Sequence, residues 1–518
     1  MIKHLFTLPR YVYRCLGTGA FHKRRIVGEI YGYVGGVLAA SGIRTWPRRR
    51  GHLPHRPQRE VAMGAAMLLV SVMVILSGCT VVPKGENRLR RAAAIAGIPY
   101  DKPYAQRHLP PLPRRAVGRQ LVQYAVLNSP DVEKAYWKWR AAIEQIPQAG
   151  TQTTTLMLNA GTTLQNGQAS LANTILGGGN MASADIRWPS KLSADAKAAL
   201  QTARAAGWEY RQAIFTVRRN VLSAWYRYTQ TSVLLRIADA QQSILNSMAV
   251  LNKAGISTGG QLPAQWLTAQ NAMYQLRTQI IALRNSEPRA LAALNAALGR
   301  TADAPLNPPR QVPAVAPITM ASHALIMLAM RRNPELRGLR RFVTADRISI
   351  HRAELQYIPN FDLGVSSSLD GTAQNFSSAL VVPLLRYKAI NASISQARDR
   401  LRSEQAALRS GEVNVAADLL INLLALRSDR RQLRLLDGRI MPRLKVLQSL
   451  AQTNYQQGVG TVQEQLKTQL ELLALKETIV ELQTDLDVRI ADIDSIIAAP
   501  MEWGAPKHVH AAPRSNRR

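Results

Sequence analysis

From Leu472 to Ile497 apolar residues return every three or four positions, as Leu472, Leu475, Ile479, Leu482, Leu486, Ile490, Ile493 and Ile497. That spacing places them on one stripe of an α-helix, the seam of a coiled coil. Upstream, Leu433, Leu436, Ile440, Leu444 and Leu447 offer a matching stripe. Together they predict an antiparallel helical hairpin that reverses at Gly458-Val459-Gly460. Its first arm runs from about Lys388 to Tyr455, on the order of 100 Å at 1.5 Å per residue. Pro442 predicts a bend in that arm, since proline lacks an amide proton and its ring crowds the carbonyl one turn back.

Before this hairpin the period changes to two. Phe361, Leu363 and Val365 alternate with Asp362, Gly364 and Ser366, which predicts a strand with one apolar and one polar face. A loop at Asp370-Gly371 leads to a second strand from Phe376 to Pro383. Earlier in the chain Leu156, Leu158 and Leu164 alternate against Asn159, Gly161 and Thr163. There Gly177-Gly178-Gly179 reads as the connecting loop and Ala184 to Trp188 as the returning strand. Modest length, a small polar face and glycine-rich loops suit a wall with lipid outside and water inside. Four strands cannot close a barrel, which takes about eight, and an open edge is untenable in lipid. The pattern therefore calls for several copies of the chain.

The landmarks occur twice. Asn128-Ser129-Pro130-Asp131-Val132 is echoed by Asn333-Pro334-Glu335-Leu336, the strand-to-helix step at Trp188-Pro189 by Val382-Pro383, and the glycine patch Lys253-Ala254-Gly255-Ile256-Ser257 by Gln457-Gly458-Val459-Gly460-Thr461. A leucine-rich helix closes each half, near Leu298-Gly299 and near Ile497, and a proline-dense linker from Pro305 to Pro317 separates them. Glycine is expected to stop each long helix in the left-handed backbone it tolerates, with Ser257 or Thr258 as turn and cap residues.

Near the amino terminus, Arg48, Arg49, Arg50, Arg56 and Arg59 precede an apolar run from Val61 to Leu76 that ends in Leu76-Ser77-Gly78-Cys79. A basic segment, an apolar stretch short for a membrane span and small residues before a cysteine describe a lipoprotein signal. Cys79 would then carry acyl chains, each contributing roughly 0.8 kcal/mol per buried CH₂. Thr80 follows where an aspartate would favour the inner membrane, so outer-membrane sorting is expected. Residues 1 to about 45 lie upstream of a complete signal and read as the product of a miscalled start.

Composition narrows the functional classes. With 47% hydrophobic and 6% aromatic residues, helices packed side by side suit the chain better than a β-rich globule. The formal charge of +33 suggests anionic surroundings. Residues 1 to 78 hold 12 Lys and Arg against 2 Asp and Glu, and the remaining surplus is spread along helices without the basic and aromatic stripes of a nucleic-acid groove. Two distant cysteines, Cys15 and Cys79, make no disulfide framework. Gly255-Ile256-Ser257-Thr258-Gly259 has the spacing of a nucleophile elbow, but a helix precedes it and no acid and histidine partners follow in a credible site. His508-Val509-His510 lies in a basic tail that reads as disordered, and two histidines alone do not make a metal site. No enzyme activity, metal or cofactor is expected.

On the duplication, the two Asn-(Ser)-Pro helix starts, the two strand-Pro-helix junctions and the two glycine-marked tips, residues 116 to 500 resemble the outer-membrane efflux protein family. These are TolC-like channel components of tripartite pumps. The resemblance implies a mainly helical chain with a membrane β-barrel portion: duplicated long hairpins forming an α-barrel, and four strands per chain entering a trimeric twelve-stranded barrel. It implies a homotrimer working with a periplasmic adaptor and an inner-membrane pump, lipid-anchored in the outer membrane. The adaptor would meet the tips at Lys253, Gly255, Ser257 and Leu262 in one hairpin and Tyr455, Gly458, Thr461 and Leu466 in the other, while Pro189 and Pro383 mark the strand-helix junctions. The division is then an extension and basic region (1–60), signal (61–78), anchored linker (79–115), first repeat (116–300), linker (301–317), second repeat (318–500) and tail (501–518). Small molecules or metal ions are the expected cargo, with type I protein secretion as the alternative. A lipid-anchored coiled-coil scaffold without a pore is a second alternative, and it explains the duplicated strands less well.

Overall fold

The computed structural model describes residues 80–499, apart from 108, 153, 158–160, 166–167, 176–180, 258–262, 310, 313–319, 368–373, 382–385 and 458. The signal, Cys79 and the basic tail lie outside the described residues, as do Gly177 to Gly179, Leu262, Pro383 and Gly458. The chain divides into a strand unit and a larger helical unit.

In the helical unit the duplication is nearly residue for residue. The first repeat comprises α2 (Gly118–Asn128), α3 (Pro130–Gly150), α4 (Pro189–Ser257) and α5 (Pro263–Leu298), of 11, 21, 69 and 36 residues. The second has α6 (Ser322–Arg332) and α7 (Pro334–Glu354), of 11 and 21 residues. Its long arm is α8 (Tyr387–Leu435), a π-helical turn (Leu436–Ile440) and α9 (Met441–Gln456), of 49, 5 and 16 residues. The closing helix α10 (Val462–Ile496) has 35. Helices α3, α4, α7 and α8 pack as successive neighbours, and α5 and α10 each lie against α4.

The π turn answers the bend expected at Pro442. Proline cannot donate to the carbonyl of Gly438, and a π turn absorbs one extra residue. That residue rotates the stripe beyond it: Met441 is buried against Leu472, Leu475 and Ile479, with Leu433, Leu436 and Leu444 packed on them. Ile440 and Leu447, expected in the seam, are exposed. On α10 the expected seam is buried except Leu482, which is partly covered.

Two cores hold the repeats. The first gathers Leu121, Ile143, Ile146, Tyr226, Leu294 and Leu298 with an aromatic cluster in which Trp139 stacks on Tyr210 at 5.5 Å and Tyr136 meets Tyr100 at 4.9 Å. The second is built on Leu325, Leu336, Leu419 and Ile493. The segment expected to be a plain linker, 79–115, contains α1 (Glu86–Gly97), which packs on α3. Arg107 grips Glu133 with two hydrogen bonds of 2.8 and 2.6 Å, and Tyr100 is buried. The proline-dense linker is also tied down, since Asn307 N–H donates to the Arg114 carbonyl at 2.8 Å and Tyr228 Oη to that of Leu306 at 2.7 Å.

The strand unit has β1 (Thr154–Met157), β2 (Gly161–Gln165), β3 (Gln168–Ile175), β4 (Met181–Ile186), β5 (Asn360–Ser367) and β6 (Gln374–Val381). One antiparallel sheet has the order β1-β4-β5-β6, and β2 pairs with β3. Gln165 pairs with Gln168, so β2 and β3 flank the two-residue sequence Asn166-Gly167, while the triple glycine lies outside the described residues. Asn-Gly is the dipeptide that two-residue hairpin connections favour. Where two strands of modest length were expected, four shorter ones, β1 to β4, are found. Across the other ladders Phe361 stands opposite Ile186 and Leu380, and Val365 opposite Ala182 and Phe376. The apolar positions read from the period of two therefore share one face of the sheet.

Candidate functional site

The repeated Asn-Pro motif acts as a latch between the start and end of each repeat. Asn128 Nδ2 donates to the carbonyls of Leu298 and Gly299 at 2.9 and 2.8 Å, and Asn333 Nδ2 donates to that of Ile496 at 3.0 Å. Those carbonyls belong to helix ends that have no intrahelical donor. Asn333 also caps α7, its Oδ1 accepting from Leu336 N–H at 3.1 Å. With Ser129 inserted in the first repeat, the Oδ1 of Asn128 has no hydrogen-bond partner among the described residues.

Each closing helix ends in the same way. Arg300 N–H reaches the Asn295 carbonyl and Ala499 N–H that of Asp494, both at 2.9 Å. The residue before each is left-handed, with φ 71° at Gly299 and 48° at Ala498. This is the Schellman ending, which glycine adopts freely and alanine does not. A buried arginine joins the repeats here: Arg218 on α4 meets Asp494 at 3.2 Å and donates to the Ala499 carbonyl at 3.1 Å. Burial pushes the Asp494 carboxyl up while Arg218 pulls it down. Asp487, two turns earlier on α10, has no such cation among the described residues, and burial raises its carboxyl to about 7.

Two polar clefts open at the heads of α7 and α3. The first, of about 320 Å³, is lined by Glu335, Asp418, Asn422 and Asp492. The second, of about 620 Å³, is lined by Asp131, Asn220, Ser223 and Asp492. Arg219 and Asp492, 3.9 Å apart, belong to both. Among the described residues no group of three or more His, Cys, Asp or Glu could hold a metal ion. Ser257 ends a helix of 69 residues, so no strand leads into the elbow-like sequence.

Beyond the carboxyl ends of α4 and α9 come the two turns. Past Gln456, Val459 and Gly460 both donate to the Asn454 carbonyl at 3.0 Å. A β-carbon on Gly460 would stand 2.9 Å from that of Asn454, so closeness of approach demands glycine here. Thr461 begins α10 with a capping box: its Oγ1 accepts from Glu464 N–H at 3.2 Å, and Glu464 Oε2 accepts from Thr461 N–H at 3.4 Å. Two donors are satisfied reciprocally, and Glu464, the acidic residue of this tip, faces its own backbone. Tyr455 and Val459 are exposed, Val459 at 81%, and Leu466 is half-buried.

The first tip differs from its expectation. Gly255 lies within α4, which continues to Ser257, so glycine does not stop this helix. Lys253 is exposed on its last turns, and α5 resumes at Pro263, which suits a first helical residue. Pro189 opens α4 in the same manner. Sequence reasoning missed the Asn latch, Ala498 and Arg218. The repeated Asn-Pro spacing was the available signal for the first; nothing local marks the other two, whose partners lie across the fold.

Residues 121–300 match the family model for outer membrane efflux protein, a span from within α2 to just past Gly299. No curated protein matches the chain in sequence. Solved structures match both repeats. CusC, described as undergoing conformational changes with folding and transmembrane channel formation, is 17% identical with a TM-score of 0.61, over 73% of this chain and 91% of its own. The outer membrane protein VceC of Vibrio cholerae is 16% identical with a TM-score of 0.61, over 73% and 95%. The CmeC outer membrane channel of Campylobacter jejuni is 13% identical with a TM-score of 0.61, over 73% and 85%. The first repeat thus matches the outer membrane efflux protein model, and the two repeats together have the TolC-like fold of these channels.

Proposed function

We propose that the chain is the outer-membrane component of a tripartite efflux system, a passive duct for small molecules or metal ions that works as a homotrimer with a periplasmic adaptor and an inner-membrane pump. The observation that carries this reading is the pair of near-equal hairpins, of 69 and 36 residues in one repeat and of 49, 5, 16 and 35 in the other. The longer arm of each, about 100 Å at 1.5 Å per residue, suits a duct wall and exceeds what a compact globule needs.

Oligomerisation is supported by apolar residues left open on the outer faces of the hairpins. On α5 Leu267, Tyr274 and Ile281 recur every seven residues and are all exposed, and Val446 and Leu450 are exposed on α9. Heptad spacing is the pattern by which one helix seats against another. An acyl anchor at Cys79 is supported by its neighbour: Thr80 bridges Thr151, which lies just ahead of β1. Acyl chains on Cys79 would then sit at the level where the strands begin. The two tips, with Lys253, Gly255, Ser257, Leu262, Tyr455, Gly458, Thr461 and Leu466, form the adaptor contact in this reading.

The test is purification of the full chain in detergent. The expected result is a trimer that conducts ions across planar bilayers, with acyl labelling lost in Cys79→Ser. A monomer, or a trimer without conductance, would favour the pore-less scaffold. Deletion of the gene should sensitise cells to drugs or metals; loss of a secreted protein with unchanged sensitivity would favour protein secretion.

A further inference from the structure

The seam between α4 and α7 concentrates cations that the duct reading does not use. The Trp208 ring lies between two guanidiniums, with Arg211 Cζ 4.3 Å and Arg337 Cζ 4.7 Å from its centroid. One turn earlier on α4, Arg204 reaches the start of α1, where a β-carbon on Gly85 would stand 2.6 Å from its Nη2. Arg88 and Arg341 are its charged neighbours. Among the described residues none of Arg88, Arg204, Arg211, Arg337 and Arg341 pairs with a carboxylate. The nearby Glu412 is taken by Arg340 at 2.9 Å. Burial, then the charges of Arg341 and Arg88, pushes Arg204 down; burial, then Arg211, Arg340, Arg332 and Arg341, pushes Arg337 down. Like charges partly out of water repel at a cost to the fold, and the neutral partners of the cluster, Gln201 for Arg204 and the Arg331 carbonyl for Arg337, carry no charge to offset it.

We propose that this guanidinium cluster, built on Trp208 at the α4–α7 seam, docks a carboxylate-rich segment of a second, soluble protein. All five cations are arginine, whose planar fork matches a planar carboxylate with two parallel hydrogen bonds. Arginine and tryptophan also dominate the energetics of protein interfaces. A second copy of the chain does not fit the site, because α3 flanks α4 and α8 flanks α7, so a lateral neighbour meets those helices first. A lipid headgroup does not fit on the channel reading. Arg204 to Arg211 lie about 22 to 33 Å along α4 from Pro189, where the strands lead in.

The probe is a fluorescein-labelled oligoglutamate peptide titrated onto the full chain in detergent, read by anisotropy. Arg204→Gln, Arg211→Gln and Arg337→Gln together should weaken binding about tenfold or more, while Arg398→Gln, Arg409→Gln and Arg434→Gln, exposed on α8, should change it less than about twofold. The thermal midpoint of the first variant should stay level or rise, since repulsion is relieved, and both variants should still conduct. Equal weakening in the two variants would reduce the effect to net charge and overturn the proposal. So would a lower midpoint in the first, which would make the arginines structural. Tighter binding of an equally charged oligophosphate would overturn it in favour of a phosphate polymer.

Discussion

Ala498 holds a left-handed backbone where its counterpart is Gly299. A non-glycine residue in that region costs roughly 1 kcal/mol or more. Ala498→Gly should therefore stabilise the protein by about 1 kcal/mol, less any added freedom in the unfolded chain, read as a higher midpoint in denaturant. Asp487 makes a prediction of opposite origin. Burial raises its carboxyl to about 7 from an unfolded value near 4. The folded state therefore holds the proton more tightly, and the associated stability is present below about pH 4 and lost as pH rises to about 7. Asp487→Asn should raise the thermal midpoint above pH 7 and leave it nearly unchanged at pH 4. A pH-independent shift would assign the effect to packing. The apolar stripe of α10 was legible from spacing alone, but these two positions were not. A buried aspartate on a helix reads as an ordinary polar residue until the opposing face is known, and a left-handed alanine carries no local signature.

Among the elements, the helices were the most legible, because 3.6-residue periodicity over dozens of positions leaves little choice of face. The strands were less so. Their alternation was readable, but the pairing of Gln165 with Gln168 inside the first strand segment was not. Gly255 also misled: a lone glycine is tolerated inside a helix, and α4 continues past it to Ser257. The turn before α10 is different, because space and not conformation demands its glycine. Gly460→Val would drive a branched side chain into Asn454, with backbone atoms at 3.2 Å leaving no room to yield. It should distort this tip and lower adaptor crosslinking and export. Thr461→Ala, which removes a cap worth about 1 kcal/mol, should lower local stability with smaller loss of export. Full adaptor crosslinking and export in Gly460→Val would remove this turn from the contact surface. The seam beyond the π turn was misread for a purely geometric reason. One extra residue rotates every later side chain by about 100°, and the π turn is where the second long arm absorbs it.

At the scale of the whole molecule, duplication was the feature most open to reading from the chain, since matched landmarks need no knowledge of contacts. What it concealed is how the halves depend on one another. Arg218, deep in the first repeat, meets Asp494 and the Ala499 carbonyl, 276 and 281 residues later. Asn128 likewise waits for Leu298 and Gly299. Contacts so distant in sequence close late and slowly. A chain emerging amino terminus first must hold a buried guanidinium without its counter-charge until its last helix arrives. The first repeat, though synthesised first, is therefore finished last, and an incomplete chain lacks the carboxylate that Arg218 meets in the mature one.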